Sequence, residues 1–131
     1  MSTRQRDRGE VSAQAVLVIP VIILLMMLAI QAGLYFHASS IAGAAAAEGA
    51  AAASVARIPS EVAARRGQRA AENLVIEAGG HTTSAALVAV NTETVTITVE
   101  AQVPRIIPFF PGSVRRTVIE PRERFTTELS R

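Results

Sequence analysis

Between Glu10 and Glu48 the chain carries no charged residue, and from Ala15 to Ile30 every residue is apolar. Gln31 interrupts, and then Ala32, Gly33, Leu34, Tyr35 and Phe36 continue the run. A helix rises about 1.5 Å per residue, so about 20 apolar residues cross a hydrocarbon core of about 30 Å. Ala15 to Phe36 meets that length with one polar interruption. The run exceeds the 7–15 apolar residues typical of a signal peptide. Tyr35, Phe36 and His37 stand at its far end, where amphipathic rings favour a membrane interface. The segment therefore reads as a retained single-pass membrane helix.

Charge gives the orientation. Arg4, Arg6 and Arg8 precede the span, and the next arginine is Arg57. The positive-inside tendency places the N-terminus in the cytoplasm and the C-terminal part outside. All 13 basic residues are arginine, and 11 acidic residues leave a net charge of only +2. No concentrated basic stripe or aromatic platform suggests nucleic-acid binding. With no cysteine, disulfides and zinc–thiolate sites are excluded.

Pro20 lacks an N–H, and its ring crowds the carbonyl of Val16, so it predicts a kink or local adjustment. Beyond the span, "ASSIAGAAAAEGAAAASVA" (38–56) continues the helix, because alanine is the strongest helix former and no proline intervenes. Ile58 precedes Pro59, and the position before proline disfavours helix. A helix from Glu10 to Ala56 would be about 70 Å long. Ala29 with Gly33, and Ala45 with Gly49, have the small-xxx-small spacing that lets helices approach closely. One reading is a bland alanine-rich spacer. The sharper one is a helix that packs against neighbouring helices along its whole length.

Three parts follow: a leader over 1–9, a helix over 10–56, and a small extracytoplasmic module over 57–131. In the module, Ser60 reads as an N-cap and Glu61 as a first-turn acid, with Arg65 one turn on. Val62, Ala63, Ala70, Ala71, Leu74 and Ala78 form the predicted apolar stripe, and Gly79 and Gly80 end the helix. Arg65, Arg66 and Arg69 read as a solvated face. "SAALVAV" (84–90) and the alternating "TVTITVEAQV" (94–103) predict a hairpin turning at Asn91 and Thr92, with the second helix on its apolar side. "PRIIPFFPGS" reads as a loop. Its Ile106, Ile107, Phe109 and Phe110 either cover the core or form an exposed contact. "VRRTVIE" and "RERFTTEL", interrupted by Pro121, offer a third strand pair or a single edge strand, and the proline suits an edge. The expected class is α+β: a long N-terminal transmembrane helix, then a small helix and an antiparallel sheet.

No catalytic constellation is present. His37 and His81 lack metal-ligand spacing, the only aspartate is Asp7, and no nucleophile elbow, phosphate loop or dinucleotide fingerprint occurs. No enzyme activity, metal or cofactor is expected.

The first fifty residues resemble the TadE-like proteins, pseudopilin-type subunits of tight-adherence (Flp) pilus systems. That family has a short basic leader ending in glycine, a glutamate five residues into the mature chain, an "ALVLP" element, a long apolar run with Gly and Tyr near its end, and an "Ala-Arg-Glu-Gly-Ala" segment. Here Arg8 and Gly9 close the leader, and Ala15, Leu17 and Pro20 occupy the "ALVLP" region. Gly33 and Tyr35 fall near the end of the span, and Glu48, Gly49 and Ala50 match the later segment. "VPRIIPFFPGS" resembles the apolar loop before the family's final strand. The resemblance implies cutting between Gly9 and Glu10 by a prepilin peptidase. The retained helix would then bundle with other pilus or secretion-system subunits, in or beside an extracellular filament. Gln14 stands at the fifth mature position, where the family usually has Glu; it can hydrogen-bond but cannot form an ion pair with a neighbour's amino terminus. Two other readings remain open: an uncut membrane-anchored adaptor of a secretion system, and a secreted module released at an Ala-x-Ala site such as Ala42-Gly43-Ala44.

Overall fold

The computed structural model describes residues 6–55 and 58–122, with side chains from Ala15 onward. Helix α1 runs over Arg6–Ser54, 49 residues without a break, and passes through Pro20. At about 1.5 Å per residue it is about 73 Å long. Helix α2 covers Ser60–Glu77. Strands β1 (Leu87–Val90), β2 (Thr94–Gln102) and β3 (Ser113–Pro121) form one antiparallel sheet in the order β1-β2-β3. The class is the expected α+β.

The first half of α1 stands clear of the rest of the chain, and the second half is built into the module. From Val16 to Ile30 its large apolar side chains are exposed, apart from half-buried Met27. From Ala38 to Ala53 one face is buried through Ala38, Ala42, Ala45, Ala46, Gly49, Ala50 and Ala53. These positions recur every three or four residues, the period of one helix face. The face lies across β2 and β3, while α2 lies against α1 and β1. The hairpin's apolar side is thus shared, α1 lying over β2 and α2 over β1, so the expected α2 cover is present and α1 adds to it. Alanine explains the added cover, since short side chains let a helix approach a sheet of Val and Ile closely.

Val95, Ile97, Val99 and Ala101 of β2 are buried, and Thr94, Thr96, Thr98 and Glu100 alternate with them. The pairs Ile97↔Val118 and Ala101↔Val114 place β3's inward residues beside them. Arg116 shares that inward register, opposite Val99, and its guanidinium donates to Ser39 Oγ on α1. The sequence places β1 from Ser84, but the ladder starts at Leu87. Residues 81–83 meet β2 separately, through Gln102 N–H to the His81 carbonyl at 2.8 Å and Thr83 N–H to the Glu100 carbonyl at 3.0 Å. The hairpin turn also lies one residue later than its composition suggests. Asn91 N–H donates to the Thr94 carbonyl at 2.8 Å, leaving Thr92 and Glu93 at the tip. Pro121 closes β3 on the sheet edge, where a missing N–H costs no ladder bond. The segment "RERFTTEL" lies outside the described residues from Glu123 onward.

In α2 the cap position is Pro59, and Ser60 is the first helical residue without capping the helix. Ser60 Oγ instead accepts from Arg122 at 3.4 Å. At the other end, Gly79 takes φ 74°. Gly79 N–H donates to the Ile76 carbonyl at 2.9 Å and Gly80 N–H to the Val75 carbonyl at 2.8 Å. This paired return of bonds defines a Schellman stop, which favours glycine at the left-handed residue. The buried stripe is Ala63, Gly67, Ala71 and Val75. Val62, Ala78 and Ile76 are exposed, and Ala70 and Leu74 are half-buried. The hydrophobicity pattern misses Gly67 because glycine has no side chain to count. At this crossing its smallness is the relevant property: a Cβ built on Gly67 would lie 2.8 Å from the Gly49 carbonyl oxygen, and one on Gly49 would lie 2.8 Å from the Gly67 carbonyl oxygen. Ile97 Cδ1 closes the same contact from the sheet, 2.9 Å from the Gly49 position.

Candidate functional site

The region with most functional content is where the exposed half of α1 meets the module. Its centre is Gln31, fully buried although it interrupts an apolar run. The side-chain amide donates to the Pro104 carbonyl at 3.1 Å. Its oxygen accepts from Ile106 N–H at 2.8 Å and Ile107 N–H at 3.2 Å. One side chain thus binds three backbone groups of the Pro-rich loop at 104–112. Among the described residues, no buried side-chain polar atom lacks a partner. An unpaired amide here would cost about 1–3 kcal/mol, which is why a polar residue inside an apolar helix needs such a latch.

One turn further along α1, Tyr35 meets Phe110 edge-on, with ring centroids 6.2 Å apart, and Phe36 in the same way at 6.2 Å. The loop's four large apolar residues divide. Ile107 and Phe110 are half-buried. Ile106 is 45% exposed and Phe109 is 96% exposed. Neither sequence reading of this loop accounts for all four residues. The loop is bonded to the helix by its backbone and one ring, and still presents an apolar tip.

Beside this junction lies a cleft of about 270 Å³ lined by Leu34, His37, Ile41, Gly80, His81 and Pro104, among others. The fold brings the two histidines to one cleft although they are far apart in sequence. Among the described residues no group of three metal-ligating side chains occurs.

On the outward face of the sheet, Ser113 Oγ donates to Glu100 Oε1 at 2.7 Å, and Arg115 pairs with Glu100 Oε2 at 2.9 Å. The Ser113 hydrogen bond, then the Arg115 guanidinium, hold the Glu100 carboxyl below the usual carboxylate range. Arg65, Arg66 and Arg69 are exposed, and Arg65 approaches Glu61 at 4.0 Å. A pair this exposed adds little to stability.

The residues singled out for processing, Gly9, Glu10 and Gln14, lie in the first turns of α1. Pro20 sits within the exposed half. Ala29 is exposed as well, and a Cβ on Gly33 would meet nothing within 4 Å. Ala45 and Gly49 are buried against the chain's own α2 and sheet. The two small-xxx-small pairs therefore stand in different settings, one on open helix surface and one inside the module. Sequence reasoning missed the role of Gln31 by treating it as a tolerable interruption. The available signal was its isolation, because a lone amide in sixteen or more apolar neighbours must find a partner, about one turn of helix away or across a fold.

By length and composition α1 can cross a membrane, with the candidate span inside Ala15–Ser54. The exposed apolar half is consistent with membrane anchoring. Residues 9–51 match the family model of TadE-like proteins, the family that the sequence resembles. The match lies within α1 and includes none of the module that follows it. No curated protein and no solved structure matches the chain.

Proposed function

We propose that this TadE-like chain is a pseudopilin or minor-pilin type membrane protein of tight-adherence (Flp) pilus assembly or secretion. It acts without catalysis, through helix–helix packing. The observation that carries the reading is the division of α1. Leu17, Ile22, Leu24 and Met26 are all at least half exposed around the helix, while from Ala38 to Ala53 one face is occupied by the chain's own module. A helix apolar on all sides requires lipid or other helices around it. A plain anchor could end at the interface. This helix instead continues rigidly into the module, so movement or packing of the membrane half is transmitted to the part outside.

In this reading the N-terminus is cytoplasmic, and the module faces outward, in or beside a filament. A prepilin peptidase cuts between Gly9 and Glu10, and the retained helix joins other pilus or secretion-system membrane subunits. Ala29 and Gly33 supply a small open patch for that association. Neutral Gln14 offers a hydrogen bond rather than a charge to a neighbour.

The test is the intact mass and N-terminal sequence of the protein recovered from its native membrane. A chain starting at Glu10 supports the pseudopilin. A chain starting at Met1 or Ser2 overturns processing and leaves a membrane-anchored adaptor. A start within the alanine-rich half removes the membrane reading altogether.

A further inference from the structure

We propose that the Pro104–Gly112 loop is a second membrane contact, its Ile106 and Phe109 side chains seated in the lipid leaflet on the module's side of the span. This rests on the reading that α1 crosses a bilayer, and it adds a contact that a single-pass anchor does not need.

Three observations point to lipid. The first is level. Counted from Ala15, about 20 residues of helix fill a hydrocarbon core of about 30 Å. The core then ends near Leu34, beyond the point where the loop is latched to Gln31. The loop therefore lies beside the last turns of the span, at hydrocarbon or interface depth. The second is surface. Phe109 is 96% exposed, Ile106 is 45% exposed, and Phe36 on the neighbouring helix surface is 69% exposed. These side chains continue the apolar surface of Val16 to Ile30 outward onto the module. Phenylalanine and leucine-sized side chains are what interfacial segments bury at the boundary of headgroups and acyl chains.

The third is backbone. Irregular chain at membrane depth must satisfy its polar groups within the protein. Three of the loop's residues, Pro104, Pro108 and Pro111, have no N–H to satisfy. Ile106 and Ile107 donate to Gln31, and Phe110 N–H donates to the Ile107 carbonyl at 3.2 Å, which with the prolines accounts for six of the nine residues over 104–112. The Gln31 amide, costly in lipid by itself, is in turn covered and bonded by the loop. The only ionisable residue in the loop is Arg105. An arginine there suits anionic headgroups and can extend its guanidinium to them while its stem stays in apolar surroundings.

The chain has no tryptophan, so single-tryptophan variants of the full chain in phosphatidylcholine–phosphatidylglycerol vesicles report one position each. Phe109→Trp is compared with Leu24→Trp in the span and Thr117→Trp on the open face of the sheet. Quenchers are a phospholipid brominated near the carbonyl end of its acyl chains for the loop, one brominated near the methyl end for Leu24→Trp, and aqueous iodide. The proposal expects Phe109→Trp to emit to the blue of Thr117→Trp, to lose most of its emission to the carbonyl-end brominated lipid, and to resist iodide. Iodide quenching of Phe109→Trp as strong as that of Thr117→Trp overturns the proposal, and lipid quenching of Leu24→Trp in the same preparation leaves the span intact. Protection of Phe109→Trp from both its brominated lipid and iodide also overturns it, assigning the loop tip to a second copy of the chain. Failure of the methyl-end brominated lipid to quench Leu24→Trp removes the span itself, and the proposal with it.

Discussion

The two halves of α1 share one unbroken backbone and differ in side-chain size. Before Gln31 the helix carries Val, Ile, Leu and Met on every side, and most are at least half exposed. After Ala38 it carries alanine, glycine and serine except at Ile41 and Glu48, and one face is buried under α2 and the sheet. Hydrophobicity alone does not separate them, because alanine too is apolar. Size does: large side chains present area to a solvent of lipid or to other helices, while small ones let the backbone itself come close to a neighbour. Gln31 is the border, the single polar group that ties the end of the first half to the start of the module.

The comparison is tested most severely by placing the same side chain in both halves. Gly49→Leu puts a branched group where a Cβ already lies 2.8 Å from the Gly67 carbonyl oxygen. A loss of about 3 kcal/mol or more, the upper end of overpacking costs, is expected in thermal or denaturant unfolding of the module in detergent. Gly33→Leu meets nothing within 4 Å and should leave that unfolding unchanged while weakening self-association in a membrane two-hybrid assay. Equal destabilisation by both would erase the distinction between the halves.

A smaller effect is expected at the border. Gln31→Leu leaves the Pro104 carbonyl and the Ile106 and Ile107 N–H groups without their partner. A cost of about 1–3 kcal/mol follows if these groups stay buried. Hydrogen exchange should accelerate at Ile106 and Ile107 before it changes in the β2 ladder. Unchanged exchange at those two amides would mean that Gln31 does not hold the loop.

The smallest effect lies on the sheet's open face. Glu100 is held below the usual carboxylate range by Ser113 and Arg115. A lowered folded pKa adds stability above the ordinary glutamate value of about 4.3, and that contribution is lost as the pH falls from there through the lowered value. Glu100→Gln should flatten this acid limb of the unfolding profile and leave the neutral-to-alkaline range parallel to the parent. A variant that keeps the full acid limb would assign it to another carboxylate.

Much of the architecture was legible because it rests on local rules. Charge-free length marked the long helix, period-two alternation marked β2, and Gly79–Gly80 marked the end of α2. The misplacements fell where a partner distant in sequence made the choice. Composition offered Ser60 as a cap, yet Pro59 takes that position and Ser60 meets Arg122 from the end of β3. The pattern of large apolar residues in α2 pointed to Val62 and Leu74, but the buried ridge runs through Gly67, the residue that lets α1 approach. Ser84–Ala86 are compatible with strand, yet the ladder resumes only at 81–83, on the far side of them.

For the candidate site, the sequence by itself determined that the chain has an apolar helix able to cross a membrane, followed by small residues and an alternating hairpin. These are properties of composition and period, and they hold wherever the segments lie in space. Only the tertiary structure decided that Ala45 and Gly49 are consumed within the chain while Ala29 and Gly33 stay open, and that Gln31 reaches the loop 73 residues away at Pro104. Small-residue spacing says that a close approach is possible without naming the partner, and a hydrogen-bonding amide says that a partner is required without saying where it is. Both questions are answered by chain topology, because the sheet returns the Pro-rich loop to the helix at the level where its apolar surface ends.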